Sequence, residues 1–140
     1  MPSDDFKVTV GVCAFRDIKA KALPGLFALR DCPNPKINVR VQEGDALVSR
    51  SRSLMAKYFL EKTQDDLLMF LDDDVIISTL DATKLMQEAW RSSLPIVGAA
   101  SVTKSKEKPG FAVRPLAAGK LRFGQGGAIH EMRHISTGCM

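Results

Sequence analysis

Apolar and polar positions alternate along this chain in short blocks of two different periods. Phe6 to Phe15, FKVTVGVCAF, alternates and then runs apolar, and its β-branched Val8, Val10 and Val12 favour extended backbone. The pattern predicts a strand over 7–14. Asp17 to Arg30 reads as a loop and a short helix, with Pro24 suited to a first helical turn and Leu26, Phe27 and Leu29 on an apolar side. Two prolines in DCPNPK end it, and INVRV predicts a second strand over 37–42, closed by the turn Glu43-Gly44-Asp45. From Ala46 to Lys62 the period lengthens. Leu47, Leu54, Met55, Tyr58 and Phe59 recur near 3.6 residues and predict a helix over 46–61, with Asp45 as its N-cap. Arg50 and Arg52 fall on opposite borders of that apolar stripe.

The organising stretch is Leu67 to Ser78, LLMFLDDDVIIS. Five apolar residues bounded by polar ones predict a buried strand over 67–73. A second helix, over 80–92, is capped by Ser78 or Thr79 with Asp81 in its first turn. Ala82, Leu85, Met86, Ala89 and Trp90 form its core stripe. LPIVGAA, Leu94 to Ala100, predicts a fourth strand over 95–100. Strands alternating with helices imply an α/β sandwich on a mainly parallel sheet.

Organisation changes at Ser101. KSKEKPG is polar, FAVRPL and KLRF read as short strands around Ala117-Ala118-Gly119, and Gly124, Gly126 and Gly127 supply turns. The chain is therefore read as one domain, 1–140, with a packed core over 1–100 and a loop-rich strand extension over 101–140. The extension is expected to be less well packed, or completed by a second chain. A strand-like end without a partner invites self-association, so a homo-oligomer is an expectation.

Composition narrows the function classes. With 140 residues and 45% hydrophobic content, the chain can bury one ordinary core. No apolar run approaches the roughly 20 residues of a membrane-spanning helix. The start, MPSDDFK, is acidic and lacks the apolar stretch of a signal peptide. Cys13, Cys32 and Cys139 form no CxxC pair, which fits a reducing cytoplasm rather than a disulfide or zinc framework. The net charge of +4 hides a segregation: Glu61 to Glu88 holds eight acids and two bases, and Ser101 to Met140 seven bases and two acids. Aromatics are not interleaved with the bases, so a nucleic-acid partner is not expected.

The candidate chemistry lies in Asp72, Asp73 and Asp74. Ligands of open α/β sheets bind at the carboxyl ends of the strands, where these aspartates fall. Three adjacent acids repel one another, and Mg²⁺ or Mn²⁺ relieves that repulsion through carboxylate oxygen, usually sharing the site with substrate phosphates. A solvated acidic turn is the alternative. No GxxxxGK[ST] occurs, which excludes a P-loop motif. His130 to His134, HEMRH, spells HExxH, but glycines flank it and it has no helical apolar face and no third ligand, so a zinc protease is set aside.

The order of these parts resembles glycosyltransferase family 2. VGVCAFRD is similar to that family's first strand, which ends in Pro-Thr-Tyr-Asn-Glu; Cys13, Ala14, Phe15, Arg16 and Asp17 stand at those five places. VSRSRSLMAKYF resembles its Ala-Arg-Asn helix, with Arg52 at the arginine and Ser53 in place of the asparagine. LLMFLDDDV resembles its Asp-X-Asp strand, IVGAASVTK the strand that follows, and ISTGCM the start of a later Gly-Thr-Gly strand. The resemblance implies a GT-A (Rossmann-like) αβα sandwich whose residues 1–100 bind the nucleotide, and which is incomplete at the C-terminus, where acceptor-binding structure usually continues. It implies a metal-dependent transfer of sugar from a nucleotide-diphosphate sugar to an acceptor. Asp72 and Asp74 would hold Mn²⁺ or Mg²⁺, and Ala14, Phe15, Asp17, Arg52, Asp72 and Asp73 would contact the donor. No residue stands out as a general base. Two rivals remain at this point: a haloacid-dehalogenase-type phosphatase, whose Asp-X-Asp usually opens the domain, and a non-catalytic nucleotide-binding or assembly module.

Overall fold

Alternation along the first strand sets the layers of the fold. The computed structural model describes residues 5–92, 94–99, 107, 114–115 and 132–134. Its elements are β1 (Lys7–Ala14), α1 (Leu23–Arg30) entered through a 3₁₀ turn at Ala20–Ala22, β2 (Lys36–Glu43), α2 (Val48–Lys62), β3 (Leu67–Asp72), α3 (Thr79–Ser92), β4 (Arg114–Pro115) and β5 (Met132–His134). The first three strands form a parallel sheet in the order β2-β1-β3.

Val8, Val10 and Val12 point to one face, where they pack with Leu26 and Leu29 of α1 and Ala82 and Met86 of α3. In-register neighbours share that face: Val8 pairs with Ile37, Val10 with Met69, and Val12 with Leu71. Phe6 and Trp90 close this core, their rings stacked with centroids 5.2 Å apart. Thr9, Gly11 and Cys13 point to the opposite face, which α2 covers. The fold is therefore α/β and Rossmann-like, with helices on both faces of a three-stranded parallel sheet.

The close approach of α2 depends on Gly11. A β-carbon there would lie 2.6 Å from Cγ of Met55, which is fully buried. The buried face of α2 is Ser51 and Met55, whereas Leu47 and Leu54, placed in the apolar stripe by periodicity, are about half exposed. The helix begins at Val48, so Asp45 stands outside it and is not its N-cap. The Asp45 carboxylate instead accepts from Leu47 N at 2.9 Å and from the Arg50 guanidinium. At the next helix the capping expectation holds: Ser78 Oγ accepts from Asp81 N at 3.0 Å and donates to the Asp81 carboxylate at 2.7 Å.

The predicted fourth strand is not found. Residues 94–99 are irregular, with Ile96 64% exposed, while Ala100 lies outside the described residues. Pro95 has no N–H to give a ladder, which disfavours pairing along β3. Among the described residues the outer edges of β2 and β3 carry no further strand. Arg114–Pro115 falls within the predicted FAVRPL strand and pairs antiparallel with Met132–His134. The backbone at 132–134 is extended, as an HExxH helix would not be. The expectations for KLRF, for ISTGCM and for packing across 101–140 fall mostly outside the described residues. No helix among those described is long and apolar enough to cross a membrane.

Candidate functional site

The topology itself makes a cleft. From β1 the chain moves to β2 on one side of it, then crosses to β3 on the other. The connections thus diverge from β1, and a crevice opens at the carboxyl ends of β1 and β3, the switch point where α/β sheets bind ligands. A cavity of about 320 Å³ lies there. Cys13 and Phe15 reach it from the end of β1, and Asp72, Asp73 and Asp74 from the end of β3. Asp45, Val48 and Ser51 close it from the start of α2. Gly44, at φ +85°, makes the turn that brings Asp45 round, a conformation glycine adopts without strain.

Register explains which aspartate faces α2. Cys13 pairs with Asp72, so both side chains lie on the α2 face. Arg52 of α2 meets Asp72 there, its Nη2 donating to Oδ1 at 2.7 Å. The same guanidinium lies 5.8 Å from the Phe70 ring centroid, one pleat down the same face. Asp73 is tied by its backbone: its carbonyl accepts from Lys19 N at 3.1 Å, joining the loop after β1 to the aspartate turn. Asp74 is exposed at the cleft rim.

The other proposed contact residues are less closely gathered. Phe15 is half exposed, lines the cleft and carries the Arg16 guanidinium 5.2 Å from its ring centroid. Asp17 is exposed in the following loop and does not border the cavity. Ala14 is buried, and alternation turns its methyl to the α1/α3 face, so only its backbone is near the site. Arg52 reaches the cleft through Asp72.

Sequence reasoning did not single out Ser51, Cys13 or Asp45 as site residues. The signal for Cys13 and Asp72 is their shared face, which requires the strand register. The signal for Ser51 is its place four residues before Met55, on the side of α2 that packs on the sheet. Burial pushes the Cys13 thiol up; Arg52 pulls it back and Asp72 adds to the rise. The Arg50 guanidinium, with Leu47 N, holds the Asp45 carboxyl below its ordinary range. The acidic block read from composition is split in two. Asp65 and Asp66 sit at the amino ends of the strands, where Asp65 accepts from Thr9 Oγ1 at 2.6 Å and from Asn38 Nδ2 at 2.9 Å. Asp66 accepts from Lys7 N at 2.9 Å. These two are clamps on the sheet and take no part in the cleft.

Cys13 gives a direct check on the cleft's accessibility. Its alkylation by iodoacetamide at pH 7.5, followed by peptide mass mapping, is expected to be slower than that of glutathione, because only the thiolate reacts and burial raises the Cys13 thiol. The rate should rise as pH climbs past the ordinary thiol range. A Cys13 that reacts faster than glutathione would contradict the assigned environment.

The donors fit a divalent cation in one particular form. Among the described residues no three His, Cys, Asp or Glu side chains converge as a ready metal shell. Mg²⁺ and Mn²⁺, however, commonly take one or two carboxylates and complete their shell with water and substrate phosphate. Asp72 and Asp74 line the same open cleft, and their hard oxygen donors suit such an ion. Asp72 also accepts from Arg52, so a cation there would share that carboxylate with the guanidinium. Comparison with known proteins finds no family model, no curated protein and no solved structure that matches this chain.

Proposed function

We propose that this domain is the donor-binding portion of a metal-dependent glycosyltransferase of GT-A type, working in a reducing compartment such as the cytoplasm. One observation carries the reading. Three successive carboxylates line a cleft at the switch point of a parallel sheet, and an arginine pairs with the first of them. In this reading Asp74, with Asp72 beside it, holds Mn²⁺ or Mg²⁺, and the ion supplies positive charge to a diphosphate leaving group as the glycosidic bond breaks. Arg52 orients Asp72 and adds a second positive charge near the phosphates. Phe15 offers a ring face to the base, with the Ala14 backbone beneath it; Asp17 does not border the cavity and takes no contact. Asp73 faces the nucleotide sugar, its turn fixed by Lys19 N. The acceptor is of unassigned chemistry.

The Arg52–Asp72 pair also favours a second reading. A guanidinium already neutralises one of the aspartates, so a non-catalytic module binding nucleotide without a cation suits the same geometry.

A thermal-shift screen separates them. UDP, GDP, ADP and CDP are each tested with Mn²⁺ and with chelator. A ligand at about 100 times its Kd adds about 2.7 kcal/mol of apparent stability, a shift of several degrees. The transferase reading expects such a shift for at least one nucleotide with Mn²⁺ and none with chelator. A shift that chelator leaves unchanged supports the cation-free module. No shift with any nucleotide contradicts both.

A further inference from the structure

Among the described residues Ser51 carries a buried polar side-chain atom that nothing satisfies. The residue is 1% exposed, and its Oγ has no hydrogen-bond partner among the described residues. Buried hydroxyls in folded proteins are nearly always paired. A helical serine ordinarily satisfies itself on the carbonyl four residues back. Ser53 does so on Ser49 O at 2.9 Å, and Thr83 Oγ1 on Thr79 O at 2.8 Å. Ser51 makes no such bond, and it borders the cleft.

The rest of the lining says what kind of partner would satisfy it. Asp45, Asp72, Asp73 and Asp74 are acceptors only when ionised, and Phe15 and Val48 offer no hydrogen bonds. Cys13 is a weak donor. Arg50 and Arg52 already hold Asp45 and Asp72. A bare phosphate meets like charge in such a cleft. A group rich in O–H donors meets acceptors from the end of β3 and from the turn before α2, and Ser51 can either donate to it or accept from it.

We propose that Ser51 pairs with a sugar hydroxyl of the bound ligand, so that the cleft floor reads a polyol rather than a phosphate. This rests on the nucleotide-sugar reading above and names the part of the ligand that sits deepest. The hydroxyl belongs either to the pentose of the nucleotide or to the hexose it carries, and the two are separable by experiment.

The test is calorimetry in Mn²⁺ on wild type and Ser51→Ala. Three probes are used: the nucleoside diphosphate that the screen selects, its 2′,3′-dideoxy analogue, and its glucose ester. Alanine suits a helix interior and removes an unpaired hydroxyl, so the melting temperature should not fall. If Ser51 reads the pentose, the variant binds the parent diphosphate and the glucose ester about 3- to 10-fold more weakly, the value of one neutral hydrogen bond, and the loss vanishes with the dideoxy analogue. If it reads the hexose, the loss appears with the glucose ester alone. Equal affinities in both proteins, or an equal loss with all three probes, overturn the proposal while leaving nucleotide binding in place. Failure of wild type to bind any probe overturns this proposal and the nucleotide-sugar reading together.

Discussion

Met55→Ala is expected to lower stability by about 2–4 kcal/mol, roughly 8–15 °C in melting temperature for a domain of this size. Met55 is fully buried and is the side chain through which α2 rests on β1. Its loss leaves a void between helix and sheet that the surroundings fill only in part. Gly11→Ala is expected to cost about 1–3 kcal/mol by the opposite route, because the new methyl would press on Cγ of Met55 at 2.6 Å. The double variant carries the central expectation. The methyl introduced by Gly11→Ala occupies part of the space that Met55 vacates, so the pair should be about 1 kcal/mol less destabilised than the two losses added. Urea melts of the four proteins measure this coupling. Strict additivity would mean that Gly11 and Met55 do not share the contact, and that α2 is held to the sheet elsewhere.

The same contact shows what the chain discloses before it folds. Val8, Val10 and Val12 alternate plainly, so β1 and its core face are readable, as are LLMFL and the stripe from Ala82 to Trp90. Each is a repeating signal in which several residues agree. The buried face of α2 is not readable in this way. Ser51 is buried because a glycine opposite lets the helix approach, while Leu47 and Leu54 stay about half exposed. Hydrophobicity ranks these residues in the reverse order. Pro95 within LPIVGAA argues against a fourth strand, and the apolar content around it masks that signal.

The site divides along the same line. The aspartates announce themselves by charge at a strand end, and Arg52 by its helix border. The pairing of Arg52 with Asp72 depends on a parallel register that sets Cys13 beside Asp72, and no local pattern encodes that. Asp65 and Asp66 look like part of the same acidic block, yet β3 carries the chain from one end of the sheet to the other between them and Asp73. One strand length separates a structural clamp from a candidate binding site.

The largest functional effect is expected at Asp74. It is exposed at the rim of the cleft, beside Asp72, whose carboxylate Arg52 already engages. Asp74→Asn keeps the side chain's size and removes one charge from three neighbouring carboxylates. Its stability should stay within about 0.5 kcal/mol of wild type, or rise slightly as repulsion falls. Cation affinity should fall at least about tenfold, and cation-dependent nucleotide binding with it. A purely structural aspartate would behave in reverse, with a lower melting temperature and an unchanged ligand response.

Titration calorimetry of UDP into wild type and Asp74→Asn, in Mn²⁺ and again in chelator, with a melting curve for each protein, tests the central claim most directly. Cation-dependent nucleoside-diphosphate binding in the Asp72–Asp74 cleft predicts heat with wild type in Mn²⁺, little in chelator, and at least about a tenfold weaker isotherm for a variant that melts normally. Equal affinity in the two proteins, or binding that chelator does not change, would contradict it.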